Sequence, residues 1–99
     1  MTFDQLLKTD YKYPTLALFK QPRCLACEAL LMRLEPWCKE HNVRLEIFMV
    51  SDNVDAAKKL GLRIMPTVVA VHGGMAKIAF AGNPQGSFEP WLRAAGVKQ

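Results

Sequence analysis

The chain has 99 residues, a formal net charge of +4, and 51% apolar against 22% charged residues, enough apolar material for one core and too much for a disordered chain. No basic run is longer than Lys58-Lys59, which excludes the clustered cationic face of a nucleic-acid binder, and no apolar run nears the roughly 18 residues of a membrane span. Three cysteines cannot all pair and Met1-Thr2-Phe3-Asp4 has no basic segment leading into an apolar one, so the expectation is one cytoplasmic domain, residues 1–99, with no nucleic-acid or membrane partner and with cysteines in redox or metal chemistry.

Thr2-Phe3-Asp4-Gln5 has the form of a capping box and predicts a short helix over 3–8. Thr15-Leu16-Ala17-Leu18-Phe19, an unbroken apolar run between Pro14 and Pro22, reads as a strand buried on both faces. From Leu25 to about His41 the spacing is helical, with Ala26, Ala29, Leu30, Met32, Leu34, Trp37 and Cys38 as the apolar set and Glu28, Arg33, Glu35, Lys39 and Glu40 as the polar one. Pro36 falls inside that pattern and predicts a kink or a break into two helices. Asn42 closes the helix, and 43–50 reads as a second strand.

Ser51, Asp52 and Asn53 offer N-caps for a short helix that Gly61 ends. Residues 68–71 and 75–80, joined through His72-Gly73-Gly74, read as a hairpin. Ser87 is the expected cap of a last helix, which tolerates Pro90 in its first turn and stops at Gly96. The order predicts an α/β fold: a mixed four-stranded sheet, β-α-β and then α-β-β-α, with helices on both faces.

The pair Cys24-x-x-Cys27 stands where the first strand hands over to the long helix. A sulfur at a helix start meets the positive end of the helix dipole, and Lys20 and Arg23 add positive charge beside it, so Cys24 is the thiol expected to ionise. Cys27, one turn on, is more enclosed. A metal reading competes, because Cys24-x2-Cys27-x10-Cys38-x2-His41 contains zinc-ligand types. At about 1.5 Å per residue, however, Cys27 and Cys38 stand about 16 Å apart on a helix, too far to share an ion unless Pro36 folds the segment back. Cys38, on the apolar face with Leu34 and Trp37, reads as a buried structural thiol.

An apolar strand, Cys24-x-x-Cys27 at a helix start, Met65-Pro66-Thr67 before a strand, and Gly82 after a hairpin follow one another in the order of the thioredoxin family, which residues 15–96 resemble. The resemblance implies a thiol-disulfide oxidoreductase that reduces protein disulfides, with Cys24 attacking and Cys27 resolving, and a redox-active disulfide between them. It also implies a cis-proline at Pro66, a substrate groove built from Arg23, Met65, Pro66 and Gly82, and no cofactor or metal. The partners it implies are disulfide-containing protein substrates and an electron donor, either a thioredoxin-reductase-like enzyme or a small thiol, acting on a monomer. Three departures stand out. Pro22-Arg23 and Leu25-Ala26 occupy the places usual for Trp and for Gly-Pro; Leu18 replaces the family's buried acid; and Ile47 replaces its lysine partner. The first strand of full-length thioredoxins is missing, and Gly82-Asn83-Pro84 lacks the paired glycine and acid of a glutathione site. Loss of the acid makes a non-catalytic protein-binding module the main alternative.

Overall fold

The computed structural model describes residues 1–97. The elements run α1 (Phe3–Lys8), β1 (Thr15–Lys20), α2 (Leu25–Glu40), β2 (Arg44–Met49), α3 (Val54–Leu60), β3 (Thr67–His72), β4 (Met75–Ala81) and α4 (Glu89–Ala94). Among the described residues the four strands form one mixed sheet in the order β2-β1-β3-β4. β1 pairs parallel with β2 and antiparallel with β3, and β3 pairs antiparallel with β4.

The period of two along β1 and β3 explains why their sequences are apolar without interruption. Leu16, Leu18, Val68 and Ala70 face one side, where Leu30, Leu34 and Cys38 of α2 and Leu92 of α4 complete a core. Ala17, Phe19, Val69 and Val71 face the other side, with Phe3 and Leu6 of α1. Each inner strand is covered twice, so each of its side chains needs to be apolar. On the α1 side Phe3, Phe19 and Phe48 form a ring cluster with centroids 5.1 to 5.6 Å apart.

Local chemistry sets the ends. The Thr2 hydroxyl accepts from Gln5 N–H at 3.1 Å while the Gln5 side chain accepts from Thr2 N–H at 2.8 Å, a complete capping box. Gly73 and Gly74 take φ of 59° and 76°, the two left-handed positions that a two-residue hairpin turn requires. Asn42, at φ 55°, closes α2 in a Schellman arrangement: Val43 N–H reaches the Cys38 carbonyl at 2.8 Å and Asn42 N–H the Lys39 carbonyl.

Four expectations require correction. α2 runs through Pro36 as one helix, so of the kink or break expected there the break into two helices does not occur. Pro36 and Met32 are both exposed, so the Met32 carbonyl that loses its helical partner opens onto solvent. The buried stripe of α2 is Cys27, Leu30, Leu31, Leu34 and Cys38, whereas Met32 and Ala29 face outward. Asn53 stands at the start of α3 without capping it; its Oδ1 accepts from Phe3 N–H at 3.3 Å and its Nδ2 donates to the Met49 carbonyl at 2.9 Å, so it ties α1 to the end of β2. Phe88, not Ser87, precedes α4; Ser87 lies one position before that cap, and its hydroxyl accepts from the N–H of Glu89, the first helical residue.

Candidate functional site

The strand register assembles the site. Phe19 lies opposite Thr67, and Thr67 lies opposite Ala81. The loop leaving β1, the loop entering β3 and the loop leaving β4 therefore meet at one end of the sheet. Those loops carry Cys24, Met65-Pro66 and Gly82 respectively, three stretches separated by about 15 to 40 positions in sequence.

Cys24 is the N-cap of α2, with Leu25 as the first helical residue, where the helical pattern of the sequence also begins. Its backbone is extended and its Sγ accepts from Cys27 N–H at 3.2 Å. A sulfur in that position meets a free amide of the first turn and the positive end of a 16-residue helix, both of which favour the thiolate. Cys24 is half-buried, and Cys27 is fully buried behind it. The two are disulfide-bonded, with Cα atoms 5.2 Å apart, within the ordinary range for a bridged pair.

Across the cleft, the Met65–Pro66 peptide bond is cis. The Met65 carbonyl faces Cys24 Sγ at 3.9 Å. The Thr67 hydroxyl donates to the Ile64 carbonyl and closes the loop on itself. Gly82 N–H donates to the Pro66 carbonyl at 2.7 Å, and a methyl group added at Gly82 would meet no atom within 4 Å. The space beside Gly82 is open, although at φ 80° a side chain there would be strained. Cys24, Cys27, Met65, Pro66 and Gly82 are thus brought together. Arg23 stands on the rim, exposed and left-handed at φ 56°.

Two other groups behave differently from the sequence reading. Lys20, expected to lend its charge to Cys24, is ion-paired to Glu28, which leaves Arg23 as the cation beside the sulfur in sequence. Leu18 and Ile47 face each other in register across β1 and β2; Leu18 is fully buried while Ile47 is 45% exposed. Glu28 keeps its exposed position, so neither it nor the fully buried leucine at position 18 supplies a buried carboxylate.

The metal alternative is not assembled by this geometry. Cys38 is enclosed in the core near the far end of α2, and its thiol is pushed up from 9.0 to about 12 by burial and, secondarily, by the Glu35 carboxylate. The His41 ring stacks on Trp37 with centroids 4.3 Å apart, and its Nδ1 lies 2.8 Å from the Trp37 carbonyl. Neither turns toward the disulfide at the other end of the helix.

Sequence reading missed the exposed apolar residues that flank the cleft, Leu25 at 87% and Ile64 at 60% exposure. Each adjoins a residue already identified, Cys24 and Met65, and that adjacency was the available signal. Arg33, which the helical pattern places in the polar set of α2, is half-buried against the loop after Gly82. No local pattern marks it, because its partners are about 50 positions away.

No family model and no curated protein matches the sequence. Solved structures do match in backbone. Thioredoxin f2 of Chlamydomonas reinhardtii superposes with a TM-score of 0.80 at 14% identity, over 98% of this chain and 92% of that one. Mitochondrial thioredoxin 3 of Saccharomyces cerevisiae, in its oxidised form, gives 0.74 at 20% identity, over 95% and 85%. Fasciola hepatica thioredoxin gives 0.71 at 22%, over 95% and 88%. With backbones that superpose this closely over nearly the whole chain, the chain has the thioredoxin fold.

Proposed function

We propose that this protein is a thiol-disulfide oxidoreductase that reduces disulfides in protein substrates. The observation that carries the reading is the placement of Cys24: half-buried at the N-cap of α2, disulfide-bonded to a buried Cys27, and facing the Met65 carbonyl beside a cis proline. In the reduced protein the Cys24 thiolate attacks one sulfur of the substrate disulfide, forming a mixed disulfide and releasing the other substrate sulfur as a thiolate. Cys27 then gives up its proton and attacks Cys24 Sγ, which expels the second substrate thiolate and closes the Cys24–Cys27 bond. Two electrons pass to the substrate, and a reductase or a small thiol restores them.

With hydrocarbon at position 18, the substrate thiolate set free in the first step is the base that takes the Cys27 proton. Arg23, Met65, Pro66 and Gly82 form the substrate-binding strip: the Met65 backbone pairs with an extended segment, and the bare Gly82 lets that segment approach. The cleft is complete within one chain, which supports a monomer. Among the described residues no helix is long and apolar enough to cross a membrane, and the unpaired Cys38 fits a reducing compartment such as the cytoplasm.

Reduction of insulin disulfides in the presence of dithiothreitol tests the reading. The wild-type protein is expected to accelerate precipitation of the insulin chains, Cys24→Ser to abolish the acceleration, and Cys27→Ser to accumulate a covalent mixed disulfide with substrate. The buried Leu18 opposite Ile47 favours a second reading, a groove that binds protein segments without turnover. A wild-type rate equal to that of Cys24→Ser selects it.

A further inference from the structure

Arg33 lies on α2 about 9 Å along the helix axis from Cys27, and three hydrogen bonds hold its guanidinium in place. Nη1 donates to Asn83 Oδ1 at 2.8 Å and to the Pro84 carbonyl, and Nη2 donates to the Gly86 carbonyl at 2.6 Å. The cation also stands 5.2 Å from the centre of the Phe88 ring. One turn further along the helix, Trp37 Nε1 donates to Glu89 Oε1 at 2.9 Å. Residues 82–87 belong to no helix or strand, so side-chain contacts of this kind fix the path of that loop. At its start, Gly82 N–H is bonded to the Pro66 carbonyl, next to the Met65 carbonyl that faces Cys24.

We propose that Arg33 is a positioning residue for the substrate cleft. It fastens the loop after β4 to α2, so that the helix carrying the reacting sulfur at its N-terminus also holds the opposite border of the groove. The proposal rests on the reductase reading and identifies what sets the groove's width. A planar fork is required, since three acceptors are shared between two guanidinium nitrogens; a lysine ammonium supplies one point charge and cannot span them. A loosened loop moves Gly82 away from Pro66 and spoils the strip along which an extended protein segment lies. The Cys24–Cys27 pair itself is untouched. Protein disulfides therefore depend on Arg33, whereas a small disulfide that meets only the sulfur does not.

The test compares wild type, Arg33→Met, Arg33→Lys and Asn83→Ala as catalysts in two assays, insulin reduction and reduction of the small aromatic disulfide 5,5′-dithiobis(2-nitrobenzoate), with the midpoint potential against glutathione and a thermal melt for each protein. Arg33→Met is expected to raise KM for insulin about tenfold with kcat within about twofold, because binding is lost without loss of chemistry. Its rate on the small disulfide and its potential stay at wild-type values. Arg33→Lys does not restore the low KM, and Asn83→Ala, which removes one of three acceptors, moves KM in the same direction by less. Should Arg33→Met fail to fold, Arg33→Lys and Asn83→Ala carry the same comparison. An unshifted insulin KM in the folded variants, or an equal loss on both substrates with a changed potential, overturns the assignment while leaving the reductase reading intact. Wild-type protein inactive on both substrates overturns both.

Discussion

At the scale of single residues, the chain contains three cysteines whose surroundings dictate three behaviours. Cys24 sits where a helix start and the Cys27 amide favour its charged form. Cys27 is fully enclosed and reachable through Cys24, which suits it to the second step. Cys38 is buried among Leu34, Leu45 and Val43, its thiol pushed up to about 12 by that burial and by Glu35. Because the folded value lies above the ordinary 9.0, the neutral thiol is the form the fold prefers. The stability that this preference contributes is complete below pH 9 and is lost as pH rises toward 12. Urea titrations at pH 8 and pH 10.5 are expected to show a smaller alkaline decline for Cys38→Ala than for wild type, after the constant penalty of the cavity is subtracted. Native protein should also resist alkylation at Cys38 at pH 8, where reduced Cys24 reacts.

At the scale of elements, α2 does most of the positioning. Its N-terminus presents Cys24, its buried stripe from Cys27 to Cys38 packs on the sheet, and Arg33 and Trp37 reach the segment after β4. Its continuity through Pro36 has a cost, because a proline in mid-helix removes one hydrogen bond and crowds the preceding turn. Both Pro36 and Met32 are on the solvent side, so water recovers part of that loss. Pro36→Ala is therefore expected to stabilise the protein by about 1 to 3 kcal/mol, read as a higher urea midpoint at unchanged slope. A midpoint at or below that of wild type would mean that the proline's stiffening of the unfolded chain outweighs the missing bond.

For the molecule as a whole, the disulfide is a weak staple. It closes a loop of four residues, and a loop that short restricts the unfolded chain by only about 2 kcal/mol. The fold is held instead by two apolar clusters, one on each face of the sheet. Reduction with dithiothreitol is expected to leave the far-ultraviolet circular dichroism unchanged and to lower stability by no more than about 2 kcal/mol. Cooperative unfolding on reduction would show that the bridge is structural and would weaken its assignment as a carrier of electrons.

The sequence by itself determined the elements and most of their ends, because strand burial, helix caps and hairpin turns are set by residues within a few positions of one another. The apolar run over residues 15–19, the capping box at Thr2 and Gln5, the Gly73-Gly74 turn and the pair Cys24 and Cys27 at a helix start are of this kind. Only the tertiary structure decided what depends on partners far along the chain. The register of Phe19, Thr67 and Ala81 brings Cys24, Pro66 and Gly82 to one cleft; Lys20 turns to Glu28; and Arg33 reaches across to the loop at Asn83 and Gly86. The register and the Arg33 contacts are long-range, and the Lys20–Glu28 pair, eight positions apart, joins the end of a strand to a helix, so local periodicity carries no record of any of them.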